Sequence, residues 1–343
     1  MTTAATHMRT EIEEIPQAVA RFLDRSDSLL EDVAQDLRRR APGFVVTVAR
    51  GSSAHAATYL KYAVELTAGL AVAPIGPSVA SIYGAKLRLD RAACLAVSQS
   101  GKSPDIVALA QSAAEQGAVT IALTNTAGSP LAGVCDHAID IMAGPERSVA
   151  ATKTFVNSAV AGLALMAHST RDETLLAALQ QLPQSLERAL ACDWSALVEP
   201  FGKQGSLFIL GRGPSSAMAS EAALKFKETC GVHAEAYSAA EVMHGPMALV
   251  GPGFPVLALA ARDAAEPSLV EAVDALADKQ AAAFATSDRV AKAARLPFAA
   301  TGHPLTDPLP LIVSFYAFVE AFARHRGLNP DAPRNLRKVT ETI

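Results

Sequence analysis

Two hydrophobic periods alternate along this chain. Over residues 11–37 apolar side chains recur at helical spacing with Pro16 among them, which predicts two helices broken near the proline. The period then shortens. Residues 44–49 are a β-branched run ending at Gly51-Ser-Ser53, and residues 54–66 return to helical spacing. Residues 93–98 read as a second strand, 104–117 as a helix opened by Pro104, and 118–123 and 137–141 as further strands. Strands that alternate with helices give βαβ units and a parallel sheet, and continuously apolar strands fit a sheet covered on both faces. Residues 150–166 and 174–190 predict two more helices, the second carrying Pro183.

After a less apolar stretch over 193–205, which reads as a linker, the pattern restarts. Residues 206–210 form a strand ending at Gly211-Arg-Gly-Pro-Ser-Ser216, and 217–229 a helix, echoing the first strand, its Gly-Ser-Ser turn and the helix after it. Residues 255–260 match the second strand of the first half, 281–285 and 296–298 supply weaker later strands, and 309–326 a helix. The polar stretch 233–246 reads as a loop. The chain is thus expected to be α/β, two copies of one doubly wound unit. The boundaries are a helical segment over 1–42, domains over 43–192 and 193–328, and a tail over 329–343.

Composition narrows the function. At 343 residues the chain can hold about two domains, with cores that need no disulfide or metal staple. Charged residues make up 19 % and hydrophobic residues 50 %, which suggests surface hidden in an oligomer. A net charge of −4 leaves no basic footprint for nucleic acid. Cys94, Cys135, Cys192 and Cys230 form no CxxC pair and read as buried free thiols. The N-terminus has no apolar signal segment, and the longest uncharged stretches all contain Gly and Pro, which argues against a membrane span. A soluble, cytoplasmic protein is expected.

Candidate chemistry sits in a few places. Ser98-Gln-Ser-Gly-Lys-Ser-Pro-Asp105 follows a strand and opens a helix, with Ser103 as N-cap. Backbone N–H groups and the hydroxyls of Ser98, Ser100 and Ser103 would cradle an anion such as a phosphate monoester. Gly101 lets the backbone approach, Lys102 adds charge, and Asp105 must face away. The alternative is an ordinary capped loop. Gly51-Ser-Ser53 ends a strand and would serve the same ligand. Glu221, Lys225 and Glu228 fall on one helical face: locally a solvated salt-bridge stripe, functionally a carboxylate base beside an ammonium. His244-Gly245-Pro246 is a turn that holds an imidazole, either structural or poised for acid/base work near neutral pH. The histidine spacing matches no zinc motif, so no metal is expected, and neither GxGxxG nor a Walker motif occurs.

Together, Ser98-Gln-Ser-Gly101, Ser148-Val-Ala-Ala-Thr-Lys153, Ala223-Leu-Lys-Phe-Lys-Glu228, His233-Ala-Glu-Ala-Tyr237, His244-Gly-Pro246 and Pro333-Arg-Asn-Leu336 with Lys338 resemble the sugar isomerase (SIS) domain family. The likeness is to the isomerase half of glucosamine-6-phosphate synthase and its stand-alone relatives. It implies two tandem SIS domains, flavodoxin-like three-layer sandwiches with parallel sheets, in a homodimer with its site near the subunit interface. It implies that Ser53, Ser98, Gln99, Ser100 and Ser103 take a sugar phosphate and that Val149 lines the sugar site. Glu228 would move a proton between the first two sugar carbons, Lys225 would stabilise charge on the open-chain oxygen, His244 would open the ring, and Lys338 would bind the open-chain sugar. No metal, organic cofactor, nucleic acid or membrane is implied.

The departures shape the expected reaction. The synthase has a glutaminase domain with a catalytic cysteine at its start, whereas Thr2 follows Met1 here, so glutamine is not the expected nitrogen source. Lys102 replaces an acidic residue of the synthase, and Ser100-Gly-Lys-Ser-Pro-Asp105 is similar to the second type of glucosamine-6-phosphate deaminase. Arg50 replaces a smaller residue. The expected reaction converts glucosamine 6-phosphate to fructose 6-phosphate and ammonia. The alternatives are an ammonia-dependent synthase, a deaminase or deglycase for another amino-sugar or glycated-amine 6-phosphate, and a non-catalytic sugar-phosphate sensor.

Overall fold

The helical spacing ahead of residue 44 resolves into α1 (His7–Glu13) and α2 (Ile15–Arg40) in the structure, a computed structural model that describes residues 5–336 and residue 338. Pro16 is the second residue of α2, where a missing N–H costs no helical hydrogen bond. There follow β1 (Phe44–Val48), α3 (Gly51–Thr67), β2 (Val72–Pro74), α4 (Ser78–Ser81), β3 (Ala92–Val97), α5 (Pro104–Glu115), β4 (Val119–Thr124), α6 (Pro130–Val134) and β5 (His137–Asp140). These five strands form one parallel sheet in the order β2-β1-β3-β4-β5. Every residue of β3 and β4 is buried, as covered faces require.

The rest of the chain gives α7 (Lys153–Thr170), α8 (Glu173–Leu190), α9 (Val198–Gly202), β6 (Ser206–Gly211), α10 (Ser215–Lys225), β7 (His233–Ser238), β8 (Pro255–Ala258), α11 (Glu266–Ala277), β9 (Ala282–Ala285), β10 (Ala294–Arg295) and α12 (Pro308–His325). Its sheet is also five-stranded and parallel, in the order β10-β9-β8-β6-β7. Counted from β6 as its first strand, this is the order 2-1-3-4-5 of the first sheet, the flavodoxin-like arrangement.

Three expectations change. Residues 233–238, expected in a loop, are the edge strand β7; only Ala234 in it is buried, so it lacks the apolar run of an inner strand. The expected linker over 193–205 instead buries Trp194, Leu197 and Phe201, and Trp194 Nε1 donates to the Pro297 carbonyl at 3.0 Å. The last strand is the two-residue β10, and residues 296–298 lie beyond it.

The described residues form two compact units. The first-sheet unit comprises residues 17–146, 153–180 and 338; the second-sheet unit comprises 5–16, 147–152 and 181–336. In the latter, Thr6 caps α1 by accepting from the Arg9 N–H at 3.0 Å and donates to Glu320 of α12 at 2.8 Å. Asp331 accepts from the N–H groups of His7 and Met8, each at 2.8 Å. No described helix is long and apolar enough to cross a membrane.

Phe226 centres the aromatic core of the second-sheet unit, with the rings of Phe201, Phe315, Phe318 and Phe322 between 5.3 and 6.2 Å from its own. It is fully buried. Phe226→Ala is expected to cost about 3–5 kcal/mol, read as a lower urea midpoint.

Candidate active site

Residues 98–103 join β3 to α5 at the C-terminal end of a central strand, where ligands sit in open parallel sheets. The loop is fixed from within. Ser98 N–H donates to the Leu123 carbonyl at 3.0 Å, and Ser98 Oγ accepts from the Gly101 N–H at 3.2 Å. The Gln99 carbonyl accepts from the Asn125 N–H, and the Gly101 carbonyl from the Leu131 N–H, each at 3.0 Å. Ser100 Oγ accepts from the Lys102 N–H at 3.3 Å. Gly101 has φ +60°, and a Cβ there would overlap the Ser129 side chain, so no other residue fits without moving the loop. Ser103 is the N-cap of α5, but its hydroxyl makes no capping bond. Asp105 is wholly buried, ion-paired with Arg50 and accepting from the Ile106 N–H at 2.9 Å. Its burial resolves the conflict between an acid at this position and an anion in the loop.

Ser53 stands within the first turn of α3 rather than ahead of it, because that helix starts at Gly51. The first N–H groups of a helix lack internal acceptors and favour an anion. Since β1 and β3 are neighbours with Val48 opposite Ala96, α3 and α5 start from the same edge of the sheet.

The stripe on α10 is not solvated. Glu221 and Lys225 have no exposed side-chain area, and Glu228 retains 19 %. The helix packs against β6, β7 and α12, which cover a face that local periodicity reads as polar. Its start is pressed onto β6: a Cβ on Gly211 would lie 2.5 Å from the Ser215 carbonyl oxygen. Lys225 Nζ lies 3.2 Å from Glu221 Oε1 and 2.6 Å from Glu228 Oε2, and Tyr316 OH donates to Glu221 Oε1 at 3.0 Å. Burial pushes the Lys225 ammonium down, but the two carboxylates more than reverse this and hold its pKa above that of an ordinary lysine. After Lys225 the helix widens into one π-helical turn, Phe226–Cys230, which carries Glu228. Glu228 is the only carboxylate of the set with an edge open to a ligand.

His244 is exposed in the 3-10 turn Glu241–His244, and its imidazole has no hydrogen-bond partner among the described residues. Glu228 precedes β7 and His244 follows it. The strand's six residues span roughly 17 Å, and the two groups attach at its opposite ends. Val149 is half-buried in the loop 147–152. Glu11 grips that loop, accepting from the N–H groups of Arg147 and Ser148 and from the Ser148 hydroxyl. Lys338 Nζ pairs at 3.1 Å with Glu146, which also accepts from Thr154 N–H at 3.0 Å and Thr154 Oγ1 at 2.6 Å. Glu11 and Glu146 escape sequence reading, because their partners Ser148 and Lys338 stand 137 and 192 positions away. Ser53, Ser98, Gln99, Ser100, Ser103 and Lys338 belong to the first-sheet unit; Val149, Lys225, Glu228 and His244 belong to the second.

Of the cysteines, Cys94 and Cys230 are buried, whereas Cys135 and Cys192 are only half-buried. Burial pushes the Cys94 thiol up to about 12 and those of Cys135 and Cys230 up to about 11, so none of these three is a thiolate nucleophile at neutral pH.

Lys225→Met strands Glu221 as a buried carboxylate without its counter-charge, and is expected to cost about 3–5 kcal/mol in urea unfolding. The raised pKa adds a pH signature. The stabilisation from Lys225 is complete below the unfolded lysine value of about 10.4 and is lost as pH rises through the folded value. Wild-type stability should therefore fall more steeply in that alkaline range than that of Lys225→Met.

The SIS domain family model matches residues 42–168 and 201–299. Two curated relatives are named glutamine–fructose-6-phosphate aminotransferase (isomerizing). That of Halobacterium salinarum is 34 % identical over 97 % of this chain and 58 % of its own length; that of Aquifex aeolicus is 31 % identical over 96 % and 57 %. The chain thus spans less than two thirds of these relatives. A solved structure from Silicibacter pomeroyi DSS-3, itself only provisionally described as a phosphosugar isomerase, is 60 % identical with a TM-score of 0.93, covering 95 % of this chain and 100 % of that one. The fold is shared with the C-terminal domain of glucosamine-fructose-6-phosphate aminotransferase from Francisella tularensis, at 24 % identity, TM-score 0.86 and coverage of 96 % and 99 %. It is also shared with glucosamine-6-phosphate deaminase from Thermotoga maritima, at 18 % identity, TM-score 0.78 and coverage of 98 % and 100 %. With two parallel five-stranded sheets of matching strand order and family-model matches in both halves, the chain belongs to the SIS domain family.

Proposed function

We propose that this protein is a phosphosugar isomerase that deaminates glucosamine 6-phosphate to fructose 6-phosphate and ammonia, with each sheet and its helices acting as one SIS domain of a tandem pair. The buried Glu221–Lys225–Glu228 set carries the reading. A protein that only binds a sugar phosphate gains nothing from keeping an ammonium fully buried beside a carboxylate with one open edge. A proton-transfer enzyme needs that arrangement: a base held at fixed geometry, with a fixed positive charge for the oxyanion that forms. The serine loop at residues 98–103 supports a phosphate as the handle, and relatives named for fructose 6-phosphate support the sugar.

In this reading His244 moves a proton between the ring oxygen and the anomeric hydroxyl, opening the pyranose to the aldehyde. Glu228 takes the proton from C2 while the buried Lys225 ammonium, 2.6 Å behind it, favours the charge growing on O1 through its field rather than by contact. The resulting enolate takes a proton at C1 from Glu228, and one proton of the C2 iminium so formed passes to O1, which leaves a hydroxymethyl group beside a C2 imine. Water adds to C2, ammonia leaves, and the ketone of fructose 6-phosphate remains. Lys338, now paired with Glu146, would bind the open chain, and Val149 would line the sugar site. The separation of Glu228 and His244 along β7 supports a homodimer in which one copy supplies the base and the other opens the ring.

Incubation with glucosamine 6-phosphate should release ammonia and fructose 6-phosphate in equal amounts. Glu228→Gln and His244→Ala should each slow turnover by about 100- to 10,000-fold while retaining sugar-phosphate binding. Co-expression of the two variants should restore activity through mixed dimers. Binding without turnover on any amino-sugar or glycated-amine phosphate would make the protein a sensor, and no restoration in the mixture would place both groups in one subunit.

A further inference from the structure

We propose that Arg50 is a phosphate-binding residue of this site and that Asp105 aims it there. The proposal rests on the sugar-phosphate reading above. Arg50 is the residue before α3, in extended backbone conformation at the helix N-cap. Its guanidinium reaches across to the first turn of α5, where Nε and Nη2 both meet Asp105 Oδ2. The other oxygen of Asp105 accepts from the Ile106 N–H, and the carboxylate has no exposed area. A buried carboxylate held on both oxygens is immobile, and the guanidinium paired with it is held in turn.

The Arg50 side chain is nonetheless 45 % exposed, and Nη1 has no acceptor among the described residues. A guanidinium is a rigid fork of five N–H donors. Asp105 occupies the Nε–Nη2 edge and leaves the Nη1 donors open. The neighbouring strands β1 and β3 run parallel with Val48 opposite Ala96, so Arg50 and Ser98, each two residues beyond that pair, leave the sheet side by side at its C-terminal edge. The open donors therefore belong to the edge from which the hydroxyls of Ser98, Ser100 and Ser103 and the N-termini of α3 and α5 arise. Lys102 in the same loop is exposed and its ammonium has no partner among the described residues to fix where it points. Arg50 is the oriented one, suited to a phosphate dianion rather than to an uncharged sugar.

The obvious objection is that the ion pair merely ties two loops together, so the test needs a readout that a tie would not move. Calorimetric titration of the full-length protein with fructose 6-phosphate and, separately, with inorganic phosphate would be run on wild type, Arg50→Ala, Arg50→Lys and Lys102→Ala, with thermal unfolding alongside. Arg50→Ala is expected to weaken both ligands by about 10- to 100-fold, with KM raised more than kcat falls, and Lys102→Ala to weaken them less. Arg50→Lys, which keeps the charge and loses the fork, should fall between and serves as the informative variant if the alanine does not fold. Folded Arg50 variants with wild-type affinity for both ligands would overturn the proposal, as would a wild type that binds neither. Arg50-dependent phosphate binding in a protein with no deaminase activity would leave this assignment standing and remove the reaction.

Discussion

Burying a lysine ammonium completely is the constraint around which the second-sheet unit is organised. The desolvation cost of such a charge is several kcal/mol, and it is tolerable only with counter-charges at hydrogen-bond distance. Glu221 and Glu228 provide them, one turn before Lys225 and within the π-helical turn after it. Glu221 needs a donor of its own and obtains it from Tyr316 on α12. Phe226, next in sequence to Lys225, anchors the same turn in an aromatic core drawn largely from α12. Packing and electrostatics are thus one problem here: the helix that covers the ammonium is also the one that holds the turn in which Glu228 keeps its single open edge.

In the first-sheet unit the controlling constraint is the parallel sheet. Its loops return to the C-terminal edge, so helix N-termini and serine hydroxyls collect there. Gly101 lets the loop close onto Ser129, and the buried Asp105 pairs with Arg50 across the two loops. The serine loop and the Glu221–Lys225–Glu228 set are therefore carried on separate sheets of the same strand order.

Much of this was legible in the sequence wherever the cause is local. The inner strands β1, β3 and β4 follow from their apolar runs, and the 98–103 loop from its glycine, its serines and the proline opening α5. The edge strand β7 was not legible, because with one buried residue it resembles a polar loop. The stretch holding Trp194, Leu197 and Phe201 reads as mixed because its apolar residues are sparse, although each is buried. Periodicity put Glu221, Lys225 and Glu228 on one face but could not say that α12 covers it. Arg50 and Asp105 stand 55 positions apart, and Glu11 and Ser148 stand 137 apart, so neither pairing has a local signature.

Whether the Glu228–Lys225 pair moves a proton between sugar carbons is most directly tested by turnover of glucosamine 6-phosphate in heavy water, with the fructose 6-phosphate product examined by NMR. A single base on one face of an enolate delivers its proton to C1 from that face alone. The delivered hydrogen at only one of the two C1 positions, as deuterium where Glu228 has exchanged with solvent and as the former C2 proton where it has not, with no product from Glu228→Gln, is the result this chemistry predicts. Fructose 6-phosphate with deuterium scrambled over both positions, or label unchanged by Glu228→Gln, would contradict it.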